Sequence, residues 1–205
     1  MALFDIFRRR PPIRDTRALA DFIDQNAAFI TQKGIYEHSR ARAGHYAKVL
    51  FREPEFQTAA DHSRWRAYPL GLAMVSELVE GVLCVANREN RHVQVAAIGD
   101  LTLAEFDRYP VPASMDDQTW GALRAELSQR VNQFGLHPPK WAKDIPEQYA
   151  QRYFDLMPIH EKLRLAEFPT IRNYLRVTMC NIHDEFTKRA DVLALVEALG
   201  SVAKG

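Results

Sequence analysis

The stretch Tyr68–Asn87, YPLGLAMVSELVEGVLCVAN, decides how the rest of the chain is arranged. Leu70, Leu72, Met74, Val75, Leu78, Val79, Val82, Leu83 and Val85 fall around nearly the whole circumference of a helix. A helix apolar on most sides is either buried in protein or surrounded by lipid. Spanning a bilayer takes about 20 consecutive apolar residues, and Glu77 and Glu80 interrupt this run. The stretch therefore reads as the central, buried helix of a helical bundle.

On its N-terminal side, Pro69 is expected to kink or break the preceding helix and to begin the central one. That preceding helix starts with Pro54 in its first turn and runs through Phe56 to Trp65. Before it, a helix is expected from Ile35 to Phe51, ended by Glu53-Pro54. The first helix has Thr16 as its N-cap and Leu19, Phe22, Ile23, Ala27 and Ile30 on one face, with Gly34 as its stop.

On the C-terminal side, the valines of residues 92–98 suit a strand. A lone strand has no partner in a helical chain, so a helix from Asn90 to Arg108 is favoured, with Gly99-Asp100 as a candidate break. Ser114 and Asp117 form a capping-box pattern ahead of Trp120, Leu123, Leu127, Val131 and Phe134, and Gly135 is the expected stop. Further helices are expected from Pro146 to Met157, over a short turn at 159–165, and from Phe168-Pro169 through Phe186. A last one is capped by Asp191 and ended by Gly200. The fold class is all-α: an irregular, orthogonal array of seven or eight helices around the central apolar helix, with no significant sheet. Residues 1–14 read as an N-terminal apolar and basic arm, and residues 15–205 as a single helical domain.

Among 205 residues, 27 Lys and Arg stand against 26 Asp and Glu, with both signs interspersed. That balance creates no field to attract a polyanion, so nucleic acid is not an expected partner. A chain of this length buries about 70% of its unfolded surface and needs neither disulfide nor metal to fold. Cys84 and Cys180 lie in apolar helical contexts and form no ligand set. Both read as small buried residues of a reducing, cytoplasmic compartment.

The arm MALFDIFRRRPP places Leu3, Phe4, Ile6 and Phe7 ahead of Arg8, Arg9 and Arg10. A secretory signal has the opposite order and a longer apolar region, so none is expected. One reading is an interfacial foot, with Phe4 and Phe7 in the headgroup boundary and the three arginines on anionic lipid. The other is an arm docked on the protein's own surface or on a partner.

No G-x-S-x-G elbow, phosphate loop, dinucleotide fingerprint, H-E-x-x-H or paired E-x-x-H motif is present. No cofactor is therefore expected. Three helices do carry a narrow polar stripe: His38, Arg42 and His45; then Ala73, Glu77, Glu80, Cys84 and Arg88; then Asn173, Arg176, Cys180, His183 or Asp184, and Thr187. The stripes admit three readings. They are solvated helix edges, a structural buried ion pair, or a polar pocket in which Glu77 is the buried carboxylate and Arg42 or Arg176 its counter-ion. A buried carboxylate requires a partner.

His160-Glu161 and His183-Asp184 offer metal-ligand chemistry, but adjacent helical residues diverge, so His160 and His183 are weak candidates and no metal is expected. Arg64-Trp65-Arg66 and His137-Pro138-Pro139-Lys140-Trp141 are basic-aromatic clusters suited to an interface, although core tryptophans are the commoner outcome. The expected function is a helical binding protein of the cytoplasm. It would recognise a partner protein or apolar ligand, with an anionic membrane surface as a further candidate through the arm. The alternative is a small hydrolase-type enzyme using Glu77 and His183 as catalytic groups with Arg42 or Arg176, and His38, His45, Glu80, Asn173, Cys180 and Trp65 as binding residues.

Overall fold

Asp15 opens the first helix because its carboxylate accepts the Ala18 N–H at 2.8 Å, satisfying a donor that a helix start leaves free. The computed structural model describes residues 11–159 and 161–202. Among these the elements are α1 (Thr16–Ala43), a single-turn α2 (Ala47–Leu50), α3 (Pro54–Leu83), α4 (Arg91–Asp107), α5 (Asp117–Val131), α6 (Ala150–Leu156), α7 (Glu161–Arg189) and α8 (Val192–Val202). Tighter 3-10 turns lie at Gly44–Tyr46, Phe134–Leu136 and Ile145–Gln148. The fold is all-α with no sheet among the described residues. The sole strand-like feature there is an isolated parallel bridge between Ile13 and Ala190.

The central stretch is as buried as its composition demands. Every residue from Ala67 to Glu80 is inaccessible, and α3 packs against α1, α4, α5, α6, α7 and α8. Its closest approach is to α1, where a Cβ on Gly71 would stand 2.8 Å from the Ala27 carbonyl oxygen. Valines 93 and 95 lie in α4, which runs unbroken through Gly99-Asp100. Ser76 and Thr102 share a buried hydrogen bond of 2.7 Å between α3 and α4, which satisfies both hydroxyls inside the core.

Several expected helix ends prove to be interior positions. Gly34 stops nothing: α1 passes through it and ends at Gly44, whose φ is +54°. Gly34 is there for space, since a Cβ would lie 2.1 Å from the Tyr153 hydroxyl and 2.9 Å from the Tyr174 ring. Pro69 does not break α3, nor does Pro169 break α7. An interior proline costs about 3 kcal/mol, whereas burying one large aliphatic side chain stabilises by roughly 1.5–3 kcal/mol. Leu70, Leu72, Met74 and Val75, all at most 2% exposed, outweigh the Pro69 defect together.

The cap of α5 is Asp116, which accepts the Thr119 N–H at 2.6 Å, rather than Ser114. Ser114 instead donates to Asp61 across the fold at 3.0 Å. Helix α5 ends at Val131, before Phe134 and Gly135. The cap expected at Asp191 is present, and α8 continues past Gly200. Ile13, fully buried, donates its N–H to the Arg189 carbonyl and accepts from the Asp191 N–H, both at 2.9 Å. This ties the start of the described chain to the α7–α8 corner.

Candidate functional site

The site begins with one buried carboxylate. Glu77 lies in the inaccessible run of α3, 3% exposed. The cation facing it is neither Arg42 nor Arg176. Lys140 Nζ stands 2.7 Å from its Oε1, the Gln148 side-chain amide donates to Oε2 at 2.7 Å, and the Tyr149 hydroxyl donates to the same oxygen at 2.9 Å. His137 Nε2 is 3.7 Å from Oε1. The desolvation of a carboxylate is offset only when a charge partner and further hydrogen bonds meet it, and here both do.

All four partners come from one strap between α5 and α6, irregular apart from its two 3-10 turns, with two anchoring ends. Phe134 is 1% exposed at the first end, and Ile145 and Tyr149 are 2% and 1% exposed at the second. Between them Pro139 rests on Gly81, where an added Cβ would meet it at an ordinary 3.6 Å. With Lys140 drawn onto Glu77, the next residue is turned the other way. Trp141 is 78% exposed. The expectation that Trp141 is a core residue is thus overturned, because its neighbour takes the inward position. Trp65, by contrast, is half-buried in an aromatic cluster, with ring centroids 5.3 Å from Tyr109 and 5.8 Å from Trp120, and lines a separate cavity of about 220 Å³ with Arg64, Tyr68 and Tyr109.

The outer face of the strap borders an open groove of about 520 Å³ between the C-terminal end of α3 and α7. Leu78, Val82 and Ile145 contribute its apolar lining, Lys140, Trp141 and Lys143 one wall, and Cys180, His183, Asp184 and Thr187 of α7 the other. Val85, at the end of α3, is 64% exposed beside it.

The second central carboxylate, Glu80, is 1% exposed and held by Arg91 in a two-point ion pair of 2.7 and 3.1 Å. Arg91 also donates to the Phe134 carbonyl at 3.2 Å, so this pair fixes one anchor of the strap. Cys84 is buried as expected, its thiol pushed up by burial and then by Glu80. Cys180 is exposed, contrary to expectation, because its side of α7 faces the groove rather than the core.

The remaining sequence candidates separate into other places. Arg42 and His38 converge on the buried Glu167, at 3.0 and 3.6 Å, beside a cavity of about 250 Å³. Burial, more than any neighbouring charge, holds the His38 imidazole below its ordinary value. His45 is exposed, its ring tilted against that of Tyr46 with centroids 4.1 Å apart. Arg176 lies 3.6 Å from Glu147, and Asn173 is exposed. His183 Nδ1 is 3.8 Å from Asp184, on the groove wall. Glu77, His183 and an arginine thus do not share one pocket. His160 and the arm residues Phe4, Phe7, Arg8, Arg9 and Arg10 lie outside the described residues. Among the described residues, no cluster of three or more His, Cys, Asp or Glu side chains is placed to hold a metal ion, and no helix is long and apolar enough to cross a membrane.

Lys140 lies on none of the three stripes because helical periodicity relates only residues that share a helix, and Gln148 and Tyr149 fall in the first turn of the helix expected from Pro146, where no polar stripe marks them. A signal was present in the Lys140-Trp141 cluster, which supplies a cation with no helix of its own.

The buried tyrosines set an alkaline limit on this architecture. Burial first, then the Glu77 charge, lifts the Tyr149 hydroxyl well above the ordinary tyrosine value, and burial likewise raises Tyr68 and Tyr153 and pushes Tyr174 up to about 12. The folded chain therefore holds these protons more tightly than the unfolded one. This stabilisation is complete below about pH 10 and is lost as pH rises through the folded values. The urea midpoint is expected to fall steadily above about pH 10; a midpoint unchanged to about pH 12 would contradict this linkage.

No family model, curated protein or solved structure matches the chain.

Proposed function

We propose that this chain is a binding protein whose docking site is the groove beside Trp141, and that its partner is a protein segment presenting apolar and aromatic side chains. One observation carries the reading: a tryptophan 78% exposed on a strap pinned from beneath by a buried ion pair. Tryptophan is enriched among the residues that dominate interface energies, and this one stands beside the apolar lining of a groove. The pinning matters as much as the exposure, since a backbone segment already held in place loses little freedom on binding. The end of α3 from Leu78 to Leu83, with Val85 just beyond it, and the two turns of α7 from Cys180 to Thr187 suit a short apolar segment lying between them.

The test is a peptide library selected on the intact protein, with selected peptides measured against the parent and Trp141→Ala. Trp141→Ala should leave stability within about 0.5 kcal/mol of the parent, as exposed substitutions do. It should weaken selected peptides by about tenfold or more, the loss expected of an interface hot spot. Peptides that bind both proteins equally would place recognition elsewhere and end the proposal.

A further inference from the structure

A second cavity, of about 480 Å³, lies at the opposite end of α4 from its junction with α5, between the α3–α4 turn and α8. Its apolar walls are Val93, Val196 and Leu199, and Asn87, Asn90 and Gln94 complete its lining. Gln94 is 2% exposed, and neither its side-chain oxygen nor its nitrogen has a hydrogen-bond partner among the described residues. Asn90 occupies the N-cap position of α4, yet its side chain makes no capping bond.

A buried primary amide with both ends unmet is costly, because it gives up water and receives nothing in return. Nothing in the packing requires glutamine here. The neighbouring inward positions of α4 are Ala97 and Ile98, and a leucine would fill the same space without the cost. Such a group is expected to acquire its partner from outside the fold. A carboxamide presents donors and an acceptor side by side, and the group that answers both at once is another amide. The broad terminal torsion of a glutamine side chain lets it turn toward the cavity. The volume lies within the range of small-molecule sites, and exposed Glu197 at the rim disfavours an anion.

We infer that this cavity is a binding site for a neutral peptide unit carrying an aliphatic group. Gln94 pairs with the ligand's amide, Asn87 and Asn90 hold its far end, and Val93, Val196 and Leu199 take the aliphatic portion. The site is separate from the Trp141 groove and does not depend on it.

N-acetyl-leucinamide titrated into the full-length protein, followed by the side-chain amide resonances of Gln94 in nitrogen-15 spectra, tests the assignment. The expected result is a saturable shift of those resonances together with the backbone amides of Val93 and Val196. Gln94→Leu should melt no lower than the parent yet bind the probe at least tenfold more weakly. Val196→Phe, which projects a ring into the aliphatic part of the cavity while leaving Gln94 in place, should also weaken the probe and carries the test if Gln94→Leu does not fold. A Gln94 resonance that contacts only long-lived water and does not answer the probe would overturn the inference. Unchanged affinity in either folded variant would do the same.

Discussion

Glu77→Leu is expected to destabilise the protein by about 3 kcal/mol, in the range seen when one member of a buried ion pair is removed. For a chain of this size that corresponds to a fall in Tm of about 6–12 °C. The leucine itself is well suited to its surroundings in α3. The loss arises from what it leaves behind: the hydroxyl of a Tyr149 that is 1% exposed and the ammonium of a Lys140 side chain only 28% exposed, both deprived of their acceptor. Lys140→Met alone should cost less, since Gln148 and Tyr149 still meet the carboxylate. The double variant Glu77→Leu/Lys140→Met should be more stable than the sum of the two losses implies, by about 1 kcal/mol or more for residues in direct contact. Chemical denaturation of the four proteins measures this coupling. Strict additivity would mean that Lys140 leaves Glu77 for water in solution, and the strap would then lose its pin. The groove reading depends on the same contact, so Glu77→Leu should also raise proteolytic cleavage between Pro138 and Asp144.

The second large effect carries the opposite sign from the one that helix propensity implies. In an isolated helix, Gly34→Ala would stabilise by roughly 0.5–1 kcal/mol. In this fold it is expected to destabilise by about 2–3 kcal/mol, as overpacked cores do. The added methyl meets the hydroxyl of Tyr153 at 2.1 Å, and Tyr153 is fully buried with that hydroxyl donating to the Ile30 carbonyl at 2.9 Å. Tyr174 donates to the same carbonyl at 3.2 Å and closes the other side. Because the nearest atom is the hydroxyl, Tyr153→Phe should relieve the severest contact and leave the Tyr174 ring at 2.9 Å. Gly34→Ala in the Tyr153→Phe background should therefore cost less than in the parent. An equal cost in both backgrounds would show that the tyrosine contact is not what excludes a side chain at position 34.

These two residues also mark where reading the chain succeeds and where it stops. Glu77 stands out in YPLGLAMVSELVEGVLCVAN because a carboxylate inside so apolar a helix must be paired, and that requirement follows from desolvation alone. The identity of the pair does not follow. Helical periodicity orders residues around a single axis, whereas Lys140 reaches Glu77 from the strap between α5 and α6, 63 positions away. Gly34 and Pro69 are alike in this: both are local signals of interruption, and both sit inside helices because of packing that local signals do not contain. Cys180 and Trp141, taken as buried by composition, were turned outward by the facing of α7 and by the inward turn of Lys140.

Local chemistry was enough for the all-α class, the buried run of α3, the helix over the valines of α4 and the starts at Pro54 and Asp191, because each rests on propensity, capping or hydrophobic periodicity. It could not supply the partner of Glu77, the reason for Gly34, the exposure of Trp141 or the unmet amide of Gln94. Each of those depends on which distant segment arrives at a given face. Arrival is set by the joint packing of many apolar side chains, so no single stretch encodes it.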